Sequence, residues 1–147
     1  NGAGILTSIF DRYDTMKSGH MSGRLNGVLV SVETGKALTY SLETLQARGK
    51  LFVEHGQEIY NGQIIGLNSR DNDLGVNPTK GKKLDNMRAS GKDEVIALVP
   101  PVRHTLEQAL EFIQDDELCE VTPKSIRLRK KILDEGERTR AAKKAKN

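Results

Sequence analysis

The chain has 147 residues, of which 29% are charged and 4% aromatic with no tryptophan, and its formal net charge is +3. That length suits one domain, or one domain with pieces of a neighbour, able to bury roughly 70% of its unfolded surface in a core of Leu, Ile, Val and Ala. No apolar run approaches the roughly 20 residues a membrane-spanning helix needs, no signal-peptide pattern opens the chain, and the lone Cys119 excludes an internal disulfide, as in a reducing cytosol.

The small net charge conceals an uneven distribution. Residues 124–147 hold ten cations against Asp134, Glu135 and Glu137, which leaves 13 cations against 17 anions in residues 1–123. An acidic body with a basic tail fits either a nucleic-acid contact or a solvated tail.

The chain begins at Asn1-Gly2-Ala3-Gly4 without an initiator Met, as a cut fragment would, and residues 5–10 read as a β-branched strand. Residues 24–32 alternate well, with Leu25, Gly27, Leu29 and Ser31 on one face and Asn26, Val28, Val30 and Val32 on the other. Glu33-Thr34-Gly35-Lys36 reads as a hairpin turn, with residues 37–42 returning as the partner strand. Residues 41–48 could add one helical turn ended by Gly49. Short strands follow over 50–54, 58–60 and 63–67, punctuated by Gly56 and Asn61-Gly62.

From Gly66 to Lys92 the chain shows neither strand alternation nor helical period. A connection this long in a compact domain is usually functional or disordered. Its cations Arg70, Lys80, Lys82, Lys83, Arg88 and Lys92 outnumber Asp71, Asp73 and Asp85. After the loop, residues 94–99 read as a buried strand stopped by Pro100-Pro101.

One helix is well specified. Thr105 suits the N-cap, and Gln108 three residues on completes a capping box. Leu106, Ala109, Leu110 and Ile113 form its apolar face, and the helix should stop near Gln114 because Asp115, Asp116 and Glu117 oppose its C-terminal dipole. Residues 118–121 and 125–130 read as strands around Thr122-Pro123. In the second, Ile126 and Leu128 point inward while Arg127 and Arg129 form an outward basic stripe. Residues 134–147 are a frayed helix or a disordered tail. These elements predict an α+β fold, mostly antiparallel β with barrel-like short strands, one well-capped helix and a long basic loop.

Enzymatic motifs do not materialise. Gly75 and Gly81 are separated by five residues where a P-loop needs four, and Lys83 stands where its Ser or Thr would bind magnesium. His20, His55 and His104 have no ligand spacing with Cys119 or with one another and read as ordinary surface or turn histidines. Cys119, in a strand without a nearby His, reads as a buried structural thiol. Asp71 and Asp73 read as turn formers through Asx hydrogen bonds.

The basic loop and tail remain as candidates for binding. The loop lacks the aromatics on which single-stranded RNA readers stack bases. Backbone and shape contacts are therefore expected, with Arg70, Lys82, Lys83 and Arg88 on phosphates and Asn72, Asn77, Asn86 and Ser90 adding neutral hydrogen bonds. Two competing readings are a protein-interaction module using the helix and the acidic patch at 115–117, and a small enzyme with the loop as a lid.

Several blocks resemble the C-terminal region of the TypA/BipA family of ribosome-associated translational GTPases. They are Ser69-Arg70-Asp71-Asn72-Asp73-Leu74, Lys80-Gly81-Lys82-Lys83-Leu84, Asn86-Met87-Arg88-Ala89-Ser90-Gly91, Leu106-Glu107-Gln108-Ala109-Leu110-Glu111-Phe112-Ile113 and Glu120-Val121-Thr122-Pro123-Lys124-Ser125-Ile126-Arg127. Gly75-Val76 departs from the pattern, which favours two bulkier apolar residues. The resemblance implies the end of an elongation-factor-like domain at 1–16, the family-specific C-terminal domain at 17–133 and a basic, partly disordered tail at 134–147. It implies GTP and magnesium for a GTPase domain of the parent protein, and neither cofactor for this part. It also implies a cytoplasmic, ribosome-associated protein linked to ribosome assembly and stress adaptation. Its loop would reach large-subunit rRNA and the acceptor end of A-site tRNA. On that basis the RNA-binding residues would be Arg70, Lys80, Lys82, Lys83, Arg88, Lys92, Arg127 and Arg129.

Overall fold

The computed structural model describes residues 24–82 and 98–147. In chain order these form β1 (Val28–Ser31), β2 (Gly35–Lys36), α1 (Thr39–Gln46), β3 (Gly49–Leu51), β4 (Glu58–Ile59), β5 (Ile64–Asn68), β6 (Leu74–Val76), α2 (Leu106–Phe112), β7 (Glu117–Val121), β8 (Ile126–Lys130) and α3 (Glu135–Ala145). The expected strand at 5–10 and most of the one at 94–99 lie outside the described residues; Leu98 and Val99 are described and are not in a strand.

The fold is α+β and mostly antiparallel, as expected, but none of its sheets closes into a barrel among the described residues. The central sheet has the order β3-β5-β1-β6, flanked by the two-stranded sheets β2-β4 and β7-β8. β1 pairs antiparallel with β5 and parallel with β6. It is buried along its whole length, so it separates two cores rather than facing water on one side. Leu29 packs with Leu42, Leu45, Leu51, Ile65 and Val76 on one face. Val28 and Val30 pack with Ile64, Ala109 and Leu128 on the other. The result is three layers: α1 on one side, the sheet in the middle, and α2 with the β7-β8 hairpin on the far side.

Three sequence expectations give way here. Residues 37–42 are not a strand returning from β1. Leu42 and Leu45, one helical step apart, are buried along α1 with Ser41, and the Leu42 N–H donates to Leu38 O at 3.0 Å. Burial at the helical period outweighs the apparent alternation. β2 is consequently short, and it pairs with β4 instead of β1.

The supposedly irregular stretch after Gly66 also contains structure. Gly66, Leu67 and Asn68 complete β5, and Leu74–Val76 forms the parallel edge strand β6. The connection between them passes over Gly27, where a Cβ would overlap the Asn72 carbonyl, so only glycine fits beneath it.

On α2 the capping box is present as expected. The Gln108 N–H donates to Thr105 Oγ1 at 3.3 Å, and the Thr105 N–H donates to Gln108 Oε1 at 3.0 Å. The helix ends at Ile113. Its buried face differs from the expected one: Ala109 is fully buried and Phe112 and Ile113 pack beside it, whereas Leu106 and Leu110 are exposed.

The last segment takes the helical alternative. Asp134 caps α3 by accepting from the Glu137 N–H at 2.9 Å, acidic residues occupy the first turn, and Lys143 and Lys144 occupy the last. No residue of α3 is buried, so capping and charge placement along the helix dipole specify it, not packing.

Candidate nucleic-acid interface

The base of the basic loop is held by a buried ionic knot. Lys130 Nζ donates to Asp73 Oδ2 at 2.6 Å, Asp116 Oδ2 at 2.8 Å and Glu117 Oε2 at 3.0 Å. Glu117 also accepts from Arg24 Nη1 and Nη2 at 2.8 and 3.0 Å and from the Gln114 N–H at 2.9 Å. Arg24 in turn lies over the Phe112 ring, 4.4 Å from its centroid. The Lys130 side chain is 2% exposed and that of Glu117 0%.

Charges so deeply buried persist only with full pairing. Burial by itself would lower the Lys130 pKa, but the hydrogen bonds to Asp116 and Asp73 and the charge of Glu117 hold it above its ordinary value. Burial likewise pushes the Glu117 carboxyl up, and the hydrogen bonds from Arg24 and Gln114 together with Lys130 more than reverse this. Lys130 and Glu117 therefore both stay ionised across the neutral range.

Asp73 links the knot to the sheet: its Oδ1 accepts from the Val28 N–H at 2.9 Å while its Oδ2 receives Lys130. It is an anchor, not the turn former its sequence context suggested. The turn belongs to the buried Asn68, whose Oδ1 accepts from the Arg70 N–H at 3.2 Å and whose Nδ2 donates to Asn72 O at 2.6 Å. Further along, Asn77 Oδ1 accepts from the Thr79 N–H at 2.9 Å, and the Leu38 N–H donates to Pro78 O at 2.9 Å. Ser41 Oγ donates to Lys80 O. Asn77 is thus committed to the loop's own geometry.

The predicted RNA-binding residues fall in three places. The Gly27 N–H donates to Arg70 O, which puts Arg70 at the start of β1. Lys80 and Lys82 lie beyond its far end, on the α1 side, where the Leu38 N–H donates to Pro78 O and Ser41 Oγ donates to Lys80 O. Arg127 and Arg129 belong to the hairpin on the opposite face. Arg70, Lys80 and Lys82 are exposed, and none has a carboxylate within ion-pair distance among the described residues. Lys83, Arg88 and Lys92, with Asn86 and Ser90, lie outside the described residues.

The outward basic stripe is only partly free. Arg129 Nε sits 2.7 Å from Glu120 Oε1, a close ion contact in which the N–H does not point along a hydrogen bond. Glu120 Oε2 also accepts from Tyr60 Oη at 2.9 Å. Burial, that hydrogen bond and the Glu120 charge raise the Tyr60 pKa, keeping the phenol protonated.

Sequence reasoning missed Arg24 and Lys130. Lys130 continues the i, i+2, i+4 series of Ile126 and Leu128, and that alternation was the available signal for its burial. Of the acidic patch at 115–117, Glu117 is buried and Asp116 is paired with Lys130, but Asp115 and Asp116 both remain exposed. Cys119 is half-buried against the hairpin core, where burial and then Glu120 raise its pKa, so it is held as a thiol. His55 is exposed and bonded to Thr39 Oγ1 at 2.8 Å, whereas His104 packs edge-on to Phe52 with centroids 4.6 Å apart. No helix among the described residues is long and apolar enough to cross a membrane.

A profile of the TypA/BipA C-terminal domain matches residues 26–135. The chain is 60% identical over 141 residues to the large ribosomal subunit assembly factor BipA of Escherichia coli, and equally to that of Haemophilus influenzae. It is 55% identical to the protein of the same name from Buchnera aphidicola. Each alignment covers 96% of this chain but 23% of the relative's length. The chain belongs to the TypA/BipA family and carries its C-terminal domain.

Proposed function

We infer that this domain binds the ribosome, with the cations of the loop after β5 neutralising phosphates of large-subunit rRNA and of the acceptor end of A-site tRNA. The observation that carries the reading is the contrast within that loop: Asp73 is locked into a buried knot while Arg70, Lys80 and Lys82 stay exposed and unpaired among the described residues. A held base presenting free cations fits backbone positioning on a folded RNA, which needs geometry more than base-edge contacts. Relatives named as large ribosomal subunit assembly factors support the ribosome as partner. Lys83, Arg88, Lys92, Arg127 and Arg129 complete the proposed RNA-binding set.

The whole protein to which the domain belongs is a translational GTPase in this reading, using GTP and magnesium in a domain outside this chain. It acts in the cytoplasm, in ribosome assembly and stress adaptation. The chain itself contributes binding, not catalysis. Measurable nucleotide turnover by the pure chain would overturn that.

Binding of the chain to isolated large subunits, followed across a salt series, tests the interface. A steep loss with salt, and a shallower slope when Lys80 and Lys82 become Ala, is the expected result. A flat response would favour a protein partner, for which Asp115 and Asp116 remain exposed while Glu117 is buried.

A further inference from the structure

A second basic feature lies on the face opposite the Lys80 end of the loop. A cleft of about 470 Å³ opens between the turn of the β7-β8 hairpin and the segments around Phe52 and His104. Arg103, Lys124 and Arg127 line it, and among the described residues no carboxylate does. Lys124 and Arg127 have no ion-pair partner among the described residues, while Arg103 touches Glu54 at 3.2 Å on an open surface. Such a cleft concentrates positive potential in a concave space.

Its remaining lining differs in kind from the loop. Phe52 and His104 meet edge to face, and both are half-buried at the border of the cleft. Burial lowers the His104 pKa, so at neutral pH its imidazole is an uncharged ring. Gln63 is 2% exposed, and its Oε1 accepts from the Tyr60 N–H at 3.3 Å. Its amide N–H groups have no partner among the described residues, and the residue borders the cleft.

We propose that this cleft binds one unstacked nucleotide of single-stranded RNA, its phosphates met by Lys124, Arg127 and Arg103 and its base by Phe52, His104 and Gln63. The volume falls within the range of about 300–1,000 Å³ typical of small-ligand sites. The loop carries cations without aromatics and is suited to backbone contact. The cleft combines cations, aromatic rings and an amide able to donate, the set used to hold a splayed base. The proposal deepens the ribosome-binding reading and rests on it: the domain would grip folded RNA with its loop and an extruded or terminal nucleotide with its other face.

The test titrates the 147-residue chain with a fluorescent single-stranded RNA pentamer, reading anisotropy and the imidazole NMR signals of His104. Large-subunit binding is measured in parallel. The expected result is that the His104 signals move on titration. The double variant Lys124→Ala/Arg127→Ala should weaken pentamer binding at least tenfold and reduce the log–log salt slope by about 1.4, the value for two phosphates on a single strand. Lys124→Glu, at an exposed turn position, repeats the test should the double variant fail to fold.

Unmoved His104 signals, or unchanged pentamer affinity in both cleft variants, would overturn the cleft assignment. Large-subunit binding that persists in that case, and is lost on changing Lys80 and Lys82, leaves the loop reading standing. Loss of that parallel binding signal in the unmodified chain would sink the ribosome reading itself.

Discussion

The two halves of the connection after β5 put charge to opposite uses. In the first half Asp73 is tied to Lys130 and to the backbone of β1, within a knot that also holds Arg24, Asp116 and Glu117. In the second half Lys80 and Lys82 stand in solvent with no carboxylate beside them among the described residues. Lys130 and Lys82 are the same side chain. One holds layers together because it is desolvated and must be paired, and the other remains available to a ligand because it is neither. Net charge alone cannot separate them; burial does.

The largest expected effect breaks the first half. Lys130→Ala leaves three carboxylates facing each other around a buried site, and it should cost about 3–5 kcal/mol in denaturant unfolding. A loss below about 1 kcal/mol would mean that the knot is incidental and that the contrast between the halves fails.

Acid should attack the same region. Glu117 is held below its reference pKa of 4.5, so its stabilisation is present above that value and lost as pH falls through the lower folded value. Lys130 is held above 10.5, so its contribution is complete below that pH and lost only as pH rises through the raised folded value. His104, with its pKa lowered from 6.5, adds a smaller loss as pH falls below 6.5, because the unfolded chain takes up the proton first. Stability against pH should therefore be flat between about 6.5 and 8, fall in acid, and fall again in alkali, where the unfolded chain loses the protons of Cys119 (ordinary value 9.0) and Tyr60 (10.0) before the folded one does. Glu117→Gln should flatten the acid limb, and an unchanged limb in that variant would place the sensitivity elsewhere.

A capping substitution provides an uncharged control beside the knot. Thr105→Ala should cost about 1 kcal/mol through loss of the capping box on α2, and this cost should not depend on salt. A strong salt dependence would show that α2 is stabilised through the charges of the knot and not through its cap.

The smallest effect on stability is expected in the second half. Lys80→Ala/Lys82→Ala should change unfolding by less than about 0.5 kcal/mol. The salt slope of binding to a structured RNA should nevertheless fall by about 1.8, for two phosphates. Destabilisation by several kcal/mol would erase the proposed division between a structural and an available half.

Local signals were read well where the partner is close in sequence. The capping box at Thr105 and Gln108, the turns at Gly56 and Gly62 and the β7-β8 hairpin all depend on residues a few positions apart, and all three are found. The tail segment lacks an apolar period, so its sequence admits either a frayed helix or a disordered tail. Its cap and end charges turn out to specify the helix. Reading failed where the partner is distant. β6 has three residues with Gly75 at its centre, and only pairing with β1 makes it a strand. The exposure of Leu106 and Leu110 depends on which face of α2 meets Leu128 and Val28, which helical period does not specify.

For the candidate site, the sequence by itself determined the loop's charge, the absence of aromatics within it and the family to which the blocks point. Residue type and order carry that information directly. Tertiary structure alone decided which cations are available. It buried Lys130 among Asp73, Asp116 and Glu117, set Arg129 against Glu120 and separated Arg70 from Lys80 by the length of β1. Those outcomes depend on desolvation and pairing between residues up to 57 positions apart, as in the Lys130–Asp73 pair, and such distances close only when the layers pack.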